Sequence, residues 1–192
     1  LVSFSAHKLY GPKGVAALYV RRGTPLQAVM SGGAQEMGRR AGTENVAGIV
    51  GFAEAVALAF EQVEADGQSI GRLRERFDAR VCGLVPKVRV NGGRASRVPN
   101  TSNLTFDSVD GESIVLGLDL RGICASTGSA CSTGEPEPSH VLLSMGRSAQ
   151  DAQSSVRISL GRNTEEGDVE ATAKALQEIV QRLRSISSVG EE

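Results

Sequence analysis

The chain has 192 residues, 40% of them hydrophobic and 22% charged, with a formal net charge of -1 at neutral pH. That composition is ordinary for a globular protein with a real core, and a charge so close to zero exerts no pull toward nucleic acid or an anionic membrane. Trp is absent and aromatic residues make up only 4%, which removes the platforms on which nucleic-acid bases stack.

Three cysteines are an odd number and do not suggest a disulfide framework, so a reducing, cytoplasmic compartment is expected. No apolar run is expected to reach the length of a membrane span, and no secretory signal is visible. The sequence opens on Leu1 inside the apolar run LVSF, as though a strand had been cut. The expectation is the C-terminal part of a longer protein.

Leu1 to Phe4 reads as the end of a buried strand and GVAALYV, residues 14–20, as a second, with Gly11-Pro12 marking the turn between them. Residues 31–44, SGGAQEMGRRAGTE, are polar and glycine-rich and read as a loop. From Asn45 to about Glu64 the alanines, valines and Phe60 predict a long, largely buried helix, broken at Asp66-Gly67. A further helix follows, with Ile70, Leu73, Phe77, Val81 and Leu84 spaced three or four apart.

Beyond Pro86 short strands alternate with helices. KVRVN and SNLTF read as strands, and a helix runs from Asp110 to Leu120 with Asp110 as N-cap and Glu112 in its first turn. Ile123 to Ala125 reads as a short strand, followed by the loop STGSACSTGEPEPS, and VRISL as another strand. The last helix is expected to start near Thr164 as N-cap, with a stripe at Val169, Ala173, Leu176, Val180 and Leu183. The alternation predicts an α/β layer architecture with a domain boundary near residue 65.

Four segments carry residues capable of chemistry. In SAHKLYGPKG, Lys8 follows a strand beside His7. A lysine there could form a Schiff base with pyridoxal phosphate if burial or cationic neighbours let it lose a proton, with Ser5 and His7 holding the phosphate. A solvated lysine beside a turn is the plain alternative, and Lys13 is the rival lysine. In GGAQEMGRRAGT, backbone N–H groups with Thr43 and Arg39 or Arg40 could cradle an anion, although no P-loop spacing is present.

In the third segment, Cys131 sits on a polar loop where a thiolate forms more readily than in a core. Cys124, Cys131 and His140 are spaced seven and nine positions apart, too widely for a typical structural zinc site, so no metal is expected. Cys124 and Cys82 read as structural residues of a strand and a helix. In the fourth, SSVRISLGRNT, the planar fork of Arg157 suits a carboxylate, whereas Arg162 fits a solvated arginine better.

Together these segments resemble the cysteine desulfurases of the NifS/IscS type, pyridoxal-phosphate enzymes of the class-V aminotransferase-like fold. SFSAHKLYGPKG resembles their cofactor-lysine motif and GGAQEMGRRAGTEN the loop that reaches the neighbouring subunit. RVPNTSNLTFDSVDGE is similar to their small-domain entry segment, STGSACS with EPSHVLLSMG to their catalytic-cysteine loop, and VRISLGRNT to their substrate-arginine strand. The resemblance runs in order from residue 1 to about residue 170.

It implies an α/β fold in two parts: residues 1–65 from the large domain of a fold-type-I pyridoxal-phosphate enzyme, and residues 66–192 as its small C-terminal domain. It also implies roles. Lys8 would carry pyridoxal 5'-phosphate as a Schiff base and then shuttle protons; Ser5 and His7 would bind its phosphate, and Thr43 that of the partner subunit in a homodimer. Arg157 would fix the carboxylate of L-cysteine. Cys131 would take its sulfur as a persulfide, leaving L-alanine, and pass it to an acceptor such as an iron–sulfur scaffold or a tRNA-thiolation relay. A selenocysteine lyase-like enzyme, or a non-catalytic fragment that dimerises or docks acceptors, are the alternatives. The family's aspartate and histidine around the cofactor ring lie upstream of the lysine and have no counterpart here, so residues 1–192 alone are expected to bind the cofactor weakly or not at all.

Overall fold

The computed structural model describes residues 1–93, 95–128 and 137–188, with side chains described as far as 186. Within these the chain divides into two compact units, Leu1–Glu64 and Ala65–Glu192.

In the first unit, strands β1 (Val2–Ser5) and β2 (Ala16–Tyr19) pair antiparallel, with Val2 opposite Tyr19 and Ser5 opposite Ala16. A 3-10 turn at Ala6–Leu9 leaves β1, closed by Tyr10 in the left-handed region at φ 63° and by the Gly11 N–H donating to the Ala6 carbonyl at 2.9 Å. Ala6 is fully buried, and a Cβ on Gly11 would lie 3.0 Å from that of Ala55, so the turn is held tightly. Both strands, however, are exposed rather than buried. Leu1, Val2, Phe4, Leu18 and Tyr19 face solvent, because a two-stranded ribbon has no second layer to cover its apolar faces.

Helix α1 spans Val46–Leu84 without interruption. Asn45 starts it, its side-chain oxygen accepting from the Gly48 N–H at 3.0 Å. The break expected at Asp66-Gly67 does not occur. A single glycine costs a helix only about 1 kcal/mol, and the alanine, glutamate, leucine and arginine neighbours are strong helix formers. Pro99 also packs against this stretch, and a Cβ on Gly71 would lie 3.7 Å from its Cβ.

The expectation of a largely buried helix fails for the part of α1 in the first unit. Phe52 and Ala55 are buried there, but Phe60 is 81% exposed and Val46, Val50, Val56 and Val63 also face outward. For the same reason the expectation about membrane-length runs needs correcting. An 18-residue window of α1 reaches a mean hydropathy of 1.6, long and apolar enough to cross a membrane by length and composition, with 17% of it buried. A core helix that packs on several sides has the same composition.

In the second unit, β3 (Val88–Val90), β4 (Thr101–Phe106) and β5 (Ser155–Ser159) form an antiparallel sheet in that order. Helix α2 (Gly111–Asp119) follows β4, and the short helices α3 (His140–Ser144) and α4 (Ala149–Gln153) precede β5. Helix α5 (Glu166–Ser188) closes the unit. Asp110 caps α2, its carboxylate accepting from the Ser113 N–H at 2.8 Å.

The core joins Phe77, Val81 and Val85 of α1 and its end to Leu104 and Phe106 of β4, Ile114 and Leu118 of α2, and Val156 and Ile158 of β5. Val169, Ala173, Leu176 and Val180 of α5 complete it, so the predicted stripe faces inward, with Leu183 packed at its edge. Thr164 does not cap α5. Its hydroxyl accepts from the Gly161 N–H at 2.9 Å, and the Asp168 carboxylate takes the Glu165 N–H instead. Gly111 presses α2 onto the sheet end, where a Cβ would fall 2.6 Å from the Gln153 carbonyl oxygen.

Candidate active site

The turn after β1 carries Ser5, His7 and Lys8 on four consecutive positions. Ser5 is half-buried, and His7 and Lys8 are exposed. A hydroxyl, an imidazole and a primary amine on one rigid turn suit a ligand with a phosphate at one end and an aldehyde at the other. The donor set therefore fits pyridoxal phosphate. No described residue of this unit covers Lys8.

Thr43 stands exposed at the end of the glycine-rich loop. That loop folds on itself. Gln35–Gly38 form a 3-10 turn in which Glu36, Met37 and Gly38 all have positive φ, and the Gly42 N–H donates to the Gln35 side-chain oxygen at 3.2 Å. The N–H groups of Gly38, Arg39 and Gly42 are thus engaged internally, which leaves less of the loop free to cradle an anion than its composition suggests.

In the second unit, Arg157 sits at the centre of β5 and lines a cavity of about 520 Å³ with Asn91, Asn103, Thr127, Gly128, His140 and others. Asp110, Glu112 and Glu137 also border this cavity, yet no ion pair or hydrogen bond is made by the Arg157 side chain among the described residues. A half-buried guanidinium without a protein partner can bind an anion, and its planar fork matches a carboxylate. Outside β5, the backbone of Arg157 exchanges two hydrogen bonds with Ser126. Ser126 therefore starts its loop against the strand that carries the arginine.

Cys131, the predicted nucleophile, lies outside the described residues. Its loop stem is described: Ser126 donates its hydroxyl to the Gly128 carbonyl at 3.0 Å, a tight turn beside the cavity. Residues 123–125 are not a strand as expected. A single bridge at Ser126 replaces it, because the chain meets β5 only where it turns away.

Cys124 is exposed, not a buried strand residue, and Cys82 on α1 is exposed too. Desolvation where the thiol is partly covered, and then the Asp78 carboxylate, push the Cys82 thiol above its ordinary range. That makes it a poor nucleophile at neutral pH. Arg162 is not a solvated arginine, since it pairs with Asp66 of α1 at 2.8 Å and fastens the β5–α5 connection.

Two asparagines were missed by sequence reasoning. Asn103 lies directly opposite Arg157 in the β4–β5 register, and Asn91 is 4% exposed beneath it. Asn91 donates its amide to the Asn103 side-chain oxygen at 2.6 Å and to the Thr105 hydroxyl at 2.8 Å. The only local signal was a polar residue alternating with buried Ser102 and Leu104 in a strand; that it faces an arginine 54 positions later depends on sheet register.

The family model for aminotransferase class V matches residues 1–172. The chain is 45% identical over 192 residues to the cysteine desulfurase IscS of Dictyoglomus turgidum, covering all of this chain and 49% of that protein. Among solved structures, a NifS-like protein matches with a TM-score of 0.83 and 35% identity over 94% of this chain and 46% of its own. The NifS-like protein of Rickettsia africae matches with a TM-score of 0.82 and 34% identity over 93% of this chain and 47% of its own. The chain thus spans about half the length of the relatives it matches. Its fold is the α/β fold of NifS-like proteins, of pyridoxal-phosphate fold type I. With residues 1–172 matched, nearly its whole length, this chain belongs to the class-V aminotransferase family.

Proposed function

We propose that this chain is part of a pyridoxal-phosphate-dependent cysteine desulfurase, which converts L-cysteine to L-alanine and holds the sulfur as a persulfide for transfer. The observation that carries the reading is Arg157. It is a partly buried guanidinium without a partner among the described residues, in a cavity bordered by the stem of the Cys131 loop. The similarity to cysteine desulfurases supports the same reaction.

Ser5 and His7 would hold the cofactor's phosphate and Lys8 its aldehyde carbon. When bound, the cofactor supplies an electron sink for charge developing at the substrate's α-carbon. Arg157 binds the substrate carboxylate and fixes which bond at the α-carbon is aligned for cleavage. The Lys8 amine takes the α-proton and returns protons as alanine forms. The Cys131 thiolate attacks the substrate's sulfur, the carbon–sulfur bond breaks, and the sulfur remains on Cys131 as a persulfide. A loop-borne cysteine can meet the substrate and afterwards an acceptor, which a cysteine fixed in a core cannot.

The domain roles follow the same reading. Residues 1–65 belong to the cofactor-binding large domain and residues 66–192 to the small domain. Thr43 contacts the cofactor phosphate of a partner subunit in a homodimer. The loop that ends at Thr43 exposes Met37 at 87%, an apolar tip suited to such a contact. A sulfur acceptor protein, of the iron–sulfur scaffold or thiolation type, completes the cycle. The exposed free thiols of Cys82 and Cys124 accord with a reducing cytoplasmic setting.

The test supplies the N-terminal half of a relative in trans and follows alanine and persulfide formation from L-cysteine. Cys131→Ser should abolish both while cofactor binding survives. Turnover undiminished in that variant would remove the proposed role, and partner binding with no turnover in the wild type would favour a non-catalytic docking fragment.

A further inference from the structure

The hydrogen bonds beneath the arginine cavity determine the direction of every donor in them. Ser155 lies 2.6 Å from the Asp151 carbonyl oxygen, which can only accept, so the Ser155 hydroxyl spends its one proton there. The contact of 2.8 Å between Thr105 and Ser155 must then be donated by Thr105. With its own proton used, Thr105 can only accept from Asn91, so the Asn91 group 2.8 Å away is the NH2 end of its amide. The same NH2 group is 2.6 Å from the Asn103 side chain, which must present its oxygen. One backbone carbonyl thus orients two asparagines in series. The cost is visible: the Asn91 carbonyl oxygen is buried without a partner among the described residues.

The consequence falls on Asn103. Its oxygen is held by Asn91, and its NH2 group has no partner among the described residues. Directly opposite residues of an antiparallel pair project on the same face of the sheet, and Asn103 is directly opposite Arg157. Both line the same cavity.

We infer that Asn103 is a second binding group for the substrate carboxylate, donating its side-chain NH2 beside the Arg157 guanidinium, with Asn91 setting the orientation that makes it a donor. The ligand class is a short α-amino acid with a free carboxylate. This rests on the reading of Arg157 as the carboxylate site. An arginine alone binds any anion; an amide donor fixed at its side adds a directional requirement that a planar carboxylate meets and a neutral amide does not.

The full 192-residue chain, labelled with nitrogen-15, is titrated to saturation with L-alanine and, separately, with L-alaninamide. The expected result is that the Asn103 side-chain NH2 signals and the Arg157 Nε–H signal move together on one binding curve with L-alanine and stay still with L-alaninamide. Asn103→Ala should weaken L-alanine binding roughly tenfold, measured where the backbone amide spectrum shows the variant folded, because the Asn91 NH2 also loses an acceptor. Arg157 moving while the Asn103 NH2 signals stay fixed, or unchanged affinity in Asn103→Ala, overturns the inference and leaves the role of Arg157 standing. If neither signal moves, the reading of Arg157 falls and the inference falls with it.

Discussion

Arg157 and Ser126 are joined by a reciprocal pair of backbone hydrogen bonds, with the Arg157 N–H donating to the Ser126 carbonyl at 2.6 Å and the Ser126 N–H returning to Arg157 at 3.2 Å. The strand that carries the Arg157 guanidinium therefore also anchors the start of the loop that carries Cys131. Under the proposed function, substrate binding and sulfur removal would share one stem. Ser126→Pro deletes one of these bonds, since proline has no N–H. The expected outcome is a loss of persulfide formation at saturating L-cysteine with a nearly unchanged KM, measured in the intact enzyme; equal rises in KM would show that the stem serves binding instead.

Arg157 should not tolerate lysine. The two residues carry the same charge, but lysine cannot make the paired, coplanar hydrogen bonds that a carboxylate takes from a guanidinium. Arg157→Lys is expected to raise KM for L-cysteine about tenfold or more, a loss of about 1.4 kcal/mol or more. Its thermal stability should stay near wild type, because no described residue depends on the Arg157 side chain. Steady-state kinetics and a melting curve together check both halves.

Much of the second unit was legible from local chemistry. Asp110 as N-cap, the α5 stripe from Val169 to Val180 and the strand from Val156 each follow from patterns a few residues long. What escaped depended on partners far along the chain. Arg162 read as solvated because Asp66 lies 96 positions away. Asn103 gained meaning only through β4–β5 pairing. The first unit misled in another way: its strands and α1 have the composition of buried elements, yet their apolar faces are uncovered within these residues.

Gly111 is a packing requirement. A Cβ there would lie 2.6 Å from the Gln153 carbonyl oxygen and 2.9 Å from that of Ser155, both backbone atoms that cannot swing aside. Gly111→Ala should cost about 1–3 kcal/mol through this overlap, read as a lowered urea midpoint. The N-cap bond from Asp110 should persist, so helix content should be nearly unchanged. A midpoint equal to wild type would show that α2 can move off the sheet at no cost.

Asp78 couples stability to cysteine reactivity. Its carboxylate accepts from the buried Ser102 hydroxyl and from Arg97 at 2.6 Å, and its charge adds to desolvation in raising the Cys82 thiol. Because the folded thiol holds its proton more tightly than the unfolded one, Cys82 costs nothing below the ordinary thiol range. As pH rises through that range the unfolded chain deprotonates first, and stability falls. Asp78→Asn removes the charge, so Cys82 should alkylate faster near pH 8 and this alkaline loss should shrink, while the Arg97 pairing weakens and stability near neutrality drops. Iodoacetamide labelling across pH, with urea midpoints, separates the two; slower labelling of Cys82 in Asp78→Asn would contradict the sign.

Lys8 supplies the last expectation. The turn offers Ser5, His7 and Lys8 as donors, but Lys8 is exposed and no wall from the described residues of its unit covers it. A covalent link to a cofactor formed in open water is readily hydrolysed. Residues 1–192 alone should therefore take up pyridoxal phosphate weakly, without a stable visible absorbance, whereas supplying the N-terminal half of a relative should produce one. Lys8→Ala should abolish that absorbance in the reconstituted enzyme. A stable yellow complex formed by the chain alone and lost in Lys8→Ala would show that this unit completes the cofactor site by itself.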